Sequence, residues 1–171
     1  MTQPDASADT ALRGLNQLPD EELDSVLAEV CSSPAWTALV RATRPWADAG
    51  ALHAANLAAM RRLGPDDLAD AMAGHARIGA PRDGDAASRR EQAGVHGADA
   101  ALLAELRVAN ARYEEAFGHV FLICATGRTA ASMLAALRER QGNDPAAERE
   151  IVRGELRKIN DIRLDRLLQA N

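Results

Sequence analysis

The sequence predicts an all-α fold from three observations: a large alanine content, apolar residues recurring at helical spacing along most of the chain, and few aromatic residues. Of the 171 residues, 47% are hydrophobic and only 3% aromatic. Alanine, the best helix former and a poor strand former, supplies much of the apolar share. A chain of this length closes one hydrophobic core but does not readily make two ordinary domains. The expectation is therefore a single-domain bundle of about eight to nine helices over residues 1–171, with residues 1–9 a flexible tail.

Each helix has its own signal. Pro19 opens a run in which Leu23, Val26, Leu27 and Val30 fall at i, i+3, i+4 and i+7, with Asp20, Glu21 and Glu22 in the first turn. Ser33 and Pro34 read as N-cap and N1 of a short helix that buries Trp36, Leu39 and Val40 and ends before Pro45. Leu52, Ala55, Ala59, Met60 and Leu63 continue the pattern to Gly64, and Pro65 starts another helix with Leu68, Ala71, Met72 and His75 on one face. Glycine and proline mark residues 79–85 as a loop. A long helix is expected from about Asp99 to Phe117 on Leu102, Leu106, Ala109, Tyr113 and Phe117, with Gly118 as terminator. The apolar run 120–124 is predicted to be a short extended segment. Two helices follow, one with Met133, Leu134 and Leu137 inward and one capped by Asp144 and Pro145. In the last, Ile151, Val152, Leu156, Ile159 and Leu167 alternate with Arg and Glu pairs that read as a solvated outer face.

Composition also narrows the function. A formal charge of −5 offers no attraction to phosphate backbones or anionic lipid, so neither nucleic acid nor membrane is an expected partner. No stretch reaches the roughly 18 apolar residues of a membrane span. The polar segment 1–9 has no apolar core of a leader, and the chain ends Leu168-Gln169-Ala170-Asn171, without a Ser-Lys-Leu address. Cys31 and Cys124, far apart and set among apolar residues, read as buried free thiols. A cytoplasmic protein is the expectation. Dinucleotide, P-loop, zincin, hydrolase-elbow and di-iron signatures are absent from the sequence.

A few residues could carry chemistry. His75, at the end of its helix and before a loop, is either a core histidine satisfied by a carbonyl or a group offered to a ligand. Ser88, Arg89, Arg90 and Glu91 match a capping box that leaves Gln92 on the surface. Arg128, between Gly127 and Thr129 at a helix start, is either solvated or placed to pair with a small carboxylate. His53, His96 and His119 lack carboxylate or histidine partners at i+4 and read as structural or surface residues, with no metal site.

The order of these segments resembles the OHCU decarboxylase family, which acts on 2-oxo-4-hydroxy-4-carboxy-5-ureidoimidazoline. Leu15-Asn16, Cys31, Trp36 and Arg44-Pro45 match its N-terminal pattern. The segments from His75 to Gly79, from Ser88 to Gln92, from Phe117 to Cys124, and Gly127-Arg128 match its later motifs, so the resemblance covers about residues 12 to 168. One position departs: Ala76 stands where the family has proline, which would stiffen the chain after the histidine. The resemblance implies cofactor-independent decarboxylation to (S)-allantoin in urate breakdown, with His75 and Glu91 catalytic and Ser88, Gln92, Ile123 and Arg128 binding a small ureide. It also implies a homodimer and no cofactor. A non-catalytic or divergent ureide-binding protein of the same fold is the alternative that Ala76 suggests.

Overall fold

The computed structural model describes residues 6–80, 84 and 86–169. Among these the helices are α1 (Ala6–Gln17), α2 (Asp20–Val30), α3 (Pro34–Arg41), α4 (Ala49–Arg62), α5 (Pro65–Ala73), α6 (Ala86–Glu91), α7 (Ala100–Phe117), α8 (Ala130–Arg140) and α9 (Pro145–Gln169), with a 3-10 turn at Ala93–Val95. No strand occurs among the described residues. The expected extended run 120–124 is irregular and has no ladder partner. Of the tail expected over 1–9, residues 1–5 lie outside the described residues and Ala6 to Asp9 already belong to α1. The sequence hid α1 because its apolar stripe amounts to little more than Leu12 and Leu15, both buried. Residues 81–83 and 85 of the expected 79–85 loop are likewise outside the described residues.

The start and stop signals work as their chemistry requires. Ser33 accepts a hydrogen bond from the Trp36 amide at 3.3 Å and Pro34 opens α3. Asp48, Asp99 and Thr129 cap α4, α7 and α8 in the same way. Asp144 accepts from the Ala146 amide at 2.8 Å ahead of α9. Gly118 ends α7 at φ 76°, a left-handed conformation that favours glycine.

The described chain divides into two compact units, Met1–Gly74 with Arg157–Asn171, and His75–Leu156. In the first, α1 to α5 and the end of α9 enclose Leu23, Leu27, Trp36, Leu52, Met60, Leu68 and Leu164. A polar chain runs through this core. Trp36 Nε1 donates to Asn56 Oδ1 at 2.9 Å, and Asn56 Nδ2 donates to Asp161 at 2.8 Å. Asp161 also meets His53 Nδ1 at 2.9 Å, while His53 Nε2 lies 2.8 Å from Asp165. A carboxylate at each nitrogen favours the doubly protonated imidazolium, the only form that donates to both. Partial burial works against that charge, but the hydrogen bonds to Asp161 and Asp165 outweigh it and raise the pKa above the ordinary value. His53 lacks a partner on its own helix because its partners are 108 and 112 positions away.

In the second unit, Ile78, Leu106, Tyr113, Phe121, Ile123, Met133 and Leu137 form the core. Tyr113 packs on Phe117 at 4.6 Å and edge-on to Phe121 at 5.2 Å between ring centroids. Beside them Glu148, with no solvent exposure, accepts from Arg140 Nε at 2.8 Å and Nη2 at 2.5 Å, from Asn143 Nδ2 at 2.8 Å, and from the Tyr113 hydroxyl. Burial alone would raise the Glu148 pKa, yet these donors reverse the effect and lower it. Burial and the Glu148 bond push the Tyr113 hydroxyl up. The solvated face expected of α9 is corrected here: Glu148, Glu155 and Asn160 are buried, while Ile151, read as apolar core, is 38% exposed.

Removing the Glu148 carboxylate strands the buried Arg140 guanidinium and the Tyr113 hydroxyl, so Glu148→Ala is expected to lose about 3–5 kcal/mol in urea denaturation. The raised His53 pKa means that its contribution is complete below about pH 6.5, its unfolded value, and is lost as pH rises through the folded value. Thermal melts from pH 6 to pH 9 should therefore show wild type losing more stability than His53→Gln. Equal losses would contradict the imidazolium assignment.

Candidate active site

The predicted chemistry-bearing residues all fall in the second unit. α5 stops at Ala73 and Gly74 is its C-cap, so His75 follows the helix instead of sitting on its face. The periodicity that put it in phase with Leu68 and Ala71 ran one turn too far, because Gly74 stops the helix first. His75 is buried, at 7% exposure.

Ser88 and Glu91 do not form a capping box. α6 begins at Ala86, which places Ser88 inside the helix and Glu91 at its last turn. Three residues apart, they share one helix face, and both are buried, at 3% and 8% exposure. Gln92, the surface residue of the capping reading, is 6% exposed. Its Oε1 accepts from the Gly79 amide at 2.9 Å, and its Nε2 donates to the carbonyls of Arg77 at 3.3 Å and Ala76 at 3.5 Å. Gln92 thus ties the end of α6 to the segment just after His75. Asn110 of α7 donates to the Ile78 carbonyl at 3.1 Å and secures the same segment from another side. Gly79 takes φ 82°, and a Cβ there would come within 3.0 Å of Leu106. These bonds hold the chain on either side of a buried Ala76.

The other predicted positions are placed differently. The Ile123 side chain, 4% exposed, belongs to the hydrophobic core, so any contact with a small molecule would come from its main chain. Arg128 is exposed at the start of α8. Its carbonyl oxygen lies where a Cβ on Gly94 would come to 1.7 Å, so the 3-10 turn and the α8 entrance meet backbone to backbone. Cys31 is a buried thiol whose pKa burial raises, whereas Cys124 is only half-buried; neither forms a disulfide among the described residues. His96 is exposed, and His119 lies against Tyr113 with its Nδ1 3.0 Å from the Val120 carbonyl. A cleft of about 240 Å³ opens beside Gln92, lined by Gly79, Arg89, Gln92, Val95, His96 and Leu103. Sequence reasoning missed Asn110, Arg140, Glu148 and Glu155, all polar residues on helices; the available signal was that Glu148 and Glu155 fall on the same α9 face as Val152 and Leu156.

This helical architecture is that of the OHCU decarboxylases. It matches the structure described as "Crystal structure of OHCU decarboxylase in the presence of (S)-allantoin" with a TM-score of 0.73 and 30% identity, over 89% of this chain and 99% of that one. A structure of (S)-allantoin synthase, at 20% identity, shares the fold with a TM-score of 0.72 over 91% of this chain and 53% of that one. The chain belongs to the OHCU decarboxylase family, whose profile matches residues 16–165. Among curated relatives, the Arabidopsis thaliana "Uric acid degradation bifunctional protein TTL" is 47% identical over 68 residues, 40% of this chain and 21% of that protein. The Amia calva 2-oxo-4-hydroxy-4-carboxy-5-ureidoimidazoline decarboxylase is 41% identical over 87 residues, half of each chain. The matched segments thus span no more than half the length of these curated relatives.

The close approach at Gly94 supplies a stability prediction. Gly94→Ala must displace the Arg128 carbonyl and is expected to cost about 1–3 kcal/mol in chemical denaturation. An unchanged midpoint would show that the turn moves aside freely.

Proposed function

We propose that the chain is a carboxy-lyase that converts 2-oxo-4-hydroxy-4-carboxy-5-ureidoimidazoline to (S)-allantoin, acting as one OHCU decarboxylase-like domain. The observation that carries this reading is the burial of His75, Ser88, Glu91 and Gln92 on two segments joined by the Gln92 hydrogen bonds. A core has no need of four polar side chains so close in sequence, and burying them costs free energy that packing alone does not return. They coincide with motifs by which the chain resembles the family, and family membership makes a small ureide the substrate class.

The substrate contains its own electron sink, since the departing carboxylate is attached beside a C=N bond. Loss of CO2 leaves an electron pair that the nitrogen accepts, and a proton is returned to carbon. The protein has to orient the carboxylate, stabilise developing charge and deliver that proton to one face. His75 moves protons around the substrate hydroxyl and reacting carbons, and Glu91 hydrogen-bonds the ureido or ring nitrogens. Ser88 and the main chain at Ile123 add hydrogen bonds. Gln92 holds the segment after His75, and its Oε1 can accept one more bond from the substrate. Exposed Arg128 pairs with an anionic oxygen. The reaction as written draws on no cofactor, and we propose a homodimer in the cytoplasm, with neither nucleic acid nor membrane as a partner. No described helix is long and apolar enough to cross a membrane.

The test generates the ureide enzymatically from urate and follows circular dichroism for single-handed allantoin. His75→Ala should stay folded and lose about a hundred- to ten-thousandfold in turnover. Wild-type rates in that variant would remove His75 from the mechanism. A wild-type protein that binds the ureide without accelerating its decay would make the chain a ureide-binding relative, in which Ala76 replaces the family proline.

A further inference from the structure

The apolar run 120–125 lies in neither helix nor strand, so its peptide groups have no regular partners. Phe121, Leu122, Ile123 and Ala125 are nevertheless all buried. Two charged side chains take up part of the deficit. Arg140 Nη1 of α8 donates to the Leu122 carbonyl at 2.8 Å, with the guanidinium 4.6 Å above the Phe121 ring. Glu155 of α9, itself 8% exposed, accepts from the Cys124 amide through Oε2 at 2.7 Å. The two anchors flank Ile123, whose own amide and carbonyl make no hydrogen bond among the described residues of this unit.

We propose that Glu155 is a positioning residue for substrate binding, fixing the Cys124 amide so that the neighbouring Ile123 peptide groups are presented to the ureide. The assignment rests on the decarboxylase reading above. A ureide is a row of amide donors and carbonyl acceptors, and an unpaired peptide amide and carbonyl are the complementary groups. Arg140 makes the other anchor but also neutralises Glu148, so its role in stability hides any role in binding. Glu155 has no such second duty toward Glu148, which makes it the residue to change. Because the Cys124 bond is present before any ligand arrives, its effect falls on binding: losing it lets the segment sample other conformations, and the substrate must order it again.

The experiment compares wild type, Glu155→Ala and Glu155→Gln, the last keeping an oxygen that accepts from the Cys124 amide. Steady-state decarboxylation of enzymatically generated ureide is read with amide hydrogen exchange at Ile123 and Cys124. We expect Glu155→Ala to melt as a folded protein, to raise KM about tenfold with kcat within a few-fold of wild type, and to exchange the Cys124 amide faster. Glu155→Gln should recover most of both losses. Kinetics of Glu155→Ala identical to wild type would overturn the proposal, as would equal losses of kcat and stability that glutamine does not rescue. An inert wild type would defeat the decarboxylase reading itself. The positioning claim would then stand or fall on exchange, and equal Cys124 exchange in all three proteins would overturn it.

Discussion

The packing of α7, α8 and α9 in the second unit leans on one carboxylate that has no contact with water. Glu148 collects hydrogen bonds from a guanidinium, an amide and a phenol, drawn from α8, the α8 to α9 turn and α7. Buried alone it would be among the least favourable groups in the protein; fully bonded, it dictates where those elements stand. Arg140, held by it, reaches the Leu122 carbonyl and covers the Phe121 ring, so the charge that orders three helices also locates the irregular run between α7 and α8.

That arrangement explains why an apolar run can remain irregular. An isolated run cannot make a sheet, and an unpaired buried backbone is costly, so 120–125 depends on side chains brought from elsewhere. The same device recurs after His75. There the chain from Ala76 to Gly79 is neither helix nor strand, and Gln92 and Asn110 meet its peptide groups. In both places a buried polar side chain from a helix replaces a ladder, leaving a defined loop beside residues suited to chemistry. The chain around Ala76 is thus ordered by hydrogen bonds from Gln92 to the Ala76 and Arg77 carbonyls.

The first unit uses charge in a different way. His53 is held between Asp161 and Asp165, and Asn56 links Asp161 to Trp36. This connects α4 and the end of α9 through an imidazole whose pKa the two carboxylates raise, whereas the second unit buries a carboxylate whose pKa its donors lower.

Most of the helices are legible in local sequence signals, as are the positions proposed for the site. Apolar phase and caps predict α2 to α5 and α7 to α9 because these are local properties, read within a turn or two. Ordered motifs pick out His75, Ser88, Glu91, Gln92, Ile123 and Arg128, and four of these are buried polar groups in the structure. What tertiary structure alone decided was the state of each polar side chain. Ser88 and Glu91 fit a capping box until the start of α6 at Ala86 removes it, and Gln92 reads as surface until Gly79 and Arg77 arrive beside it. Glu148 and Glu155 look like the solvated flank of a long helix, and His53 like a histidine without partners. Their partners are remote in sequence, and helical phase says which face a residue occupies but not what the rest of the chain will bring to meet it.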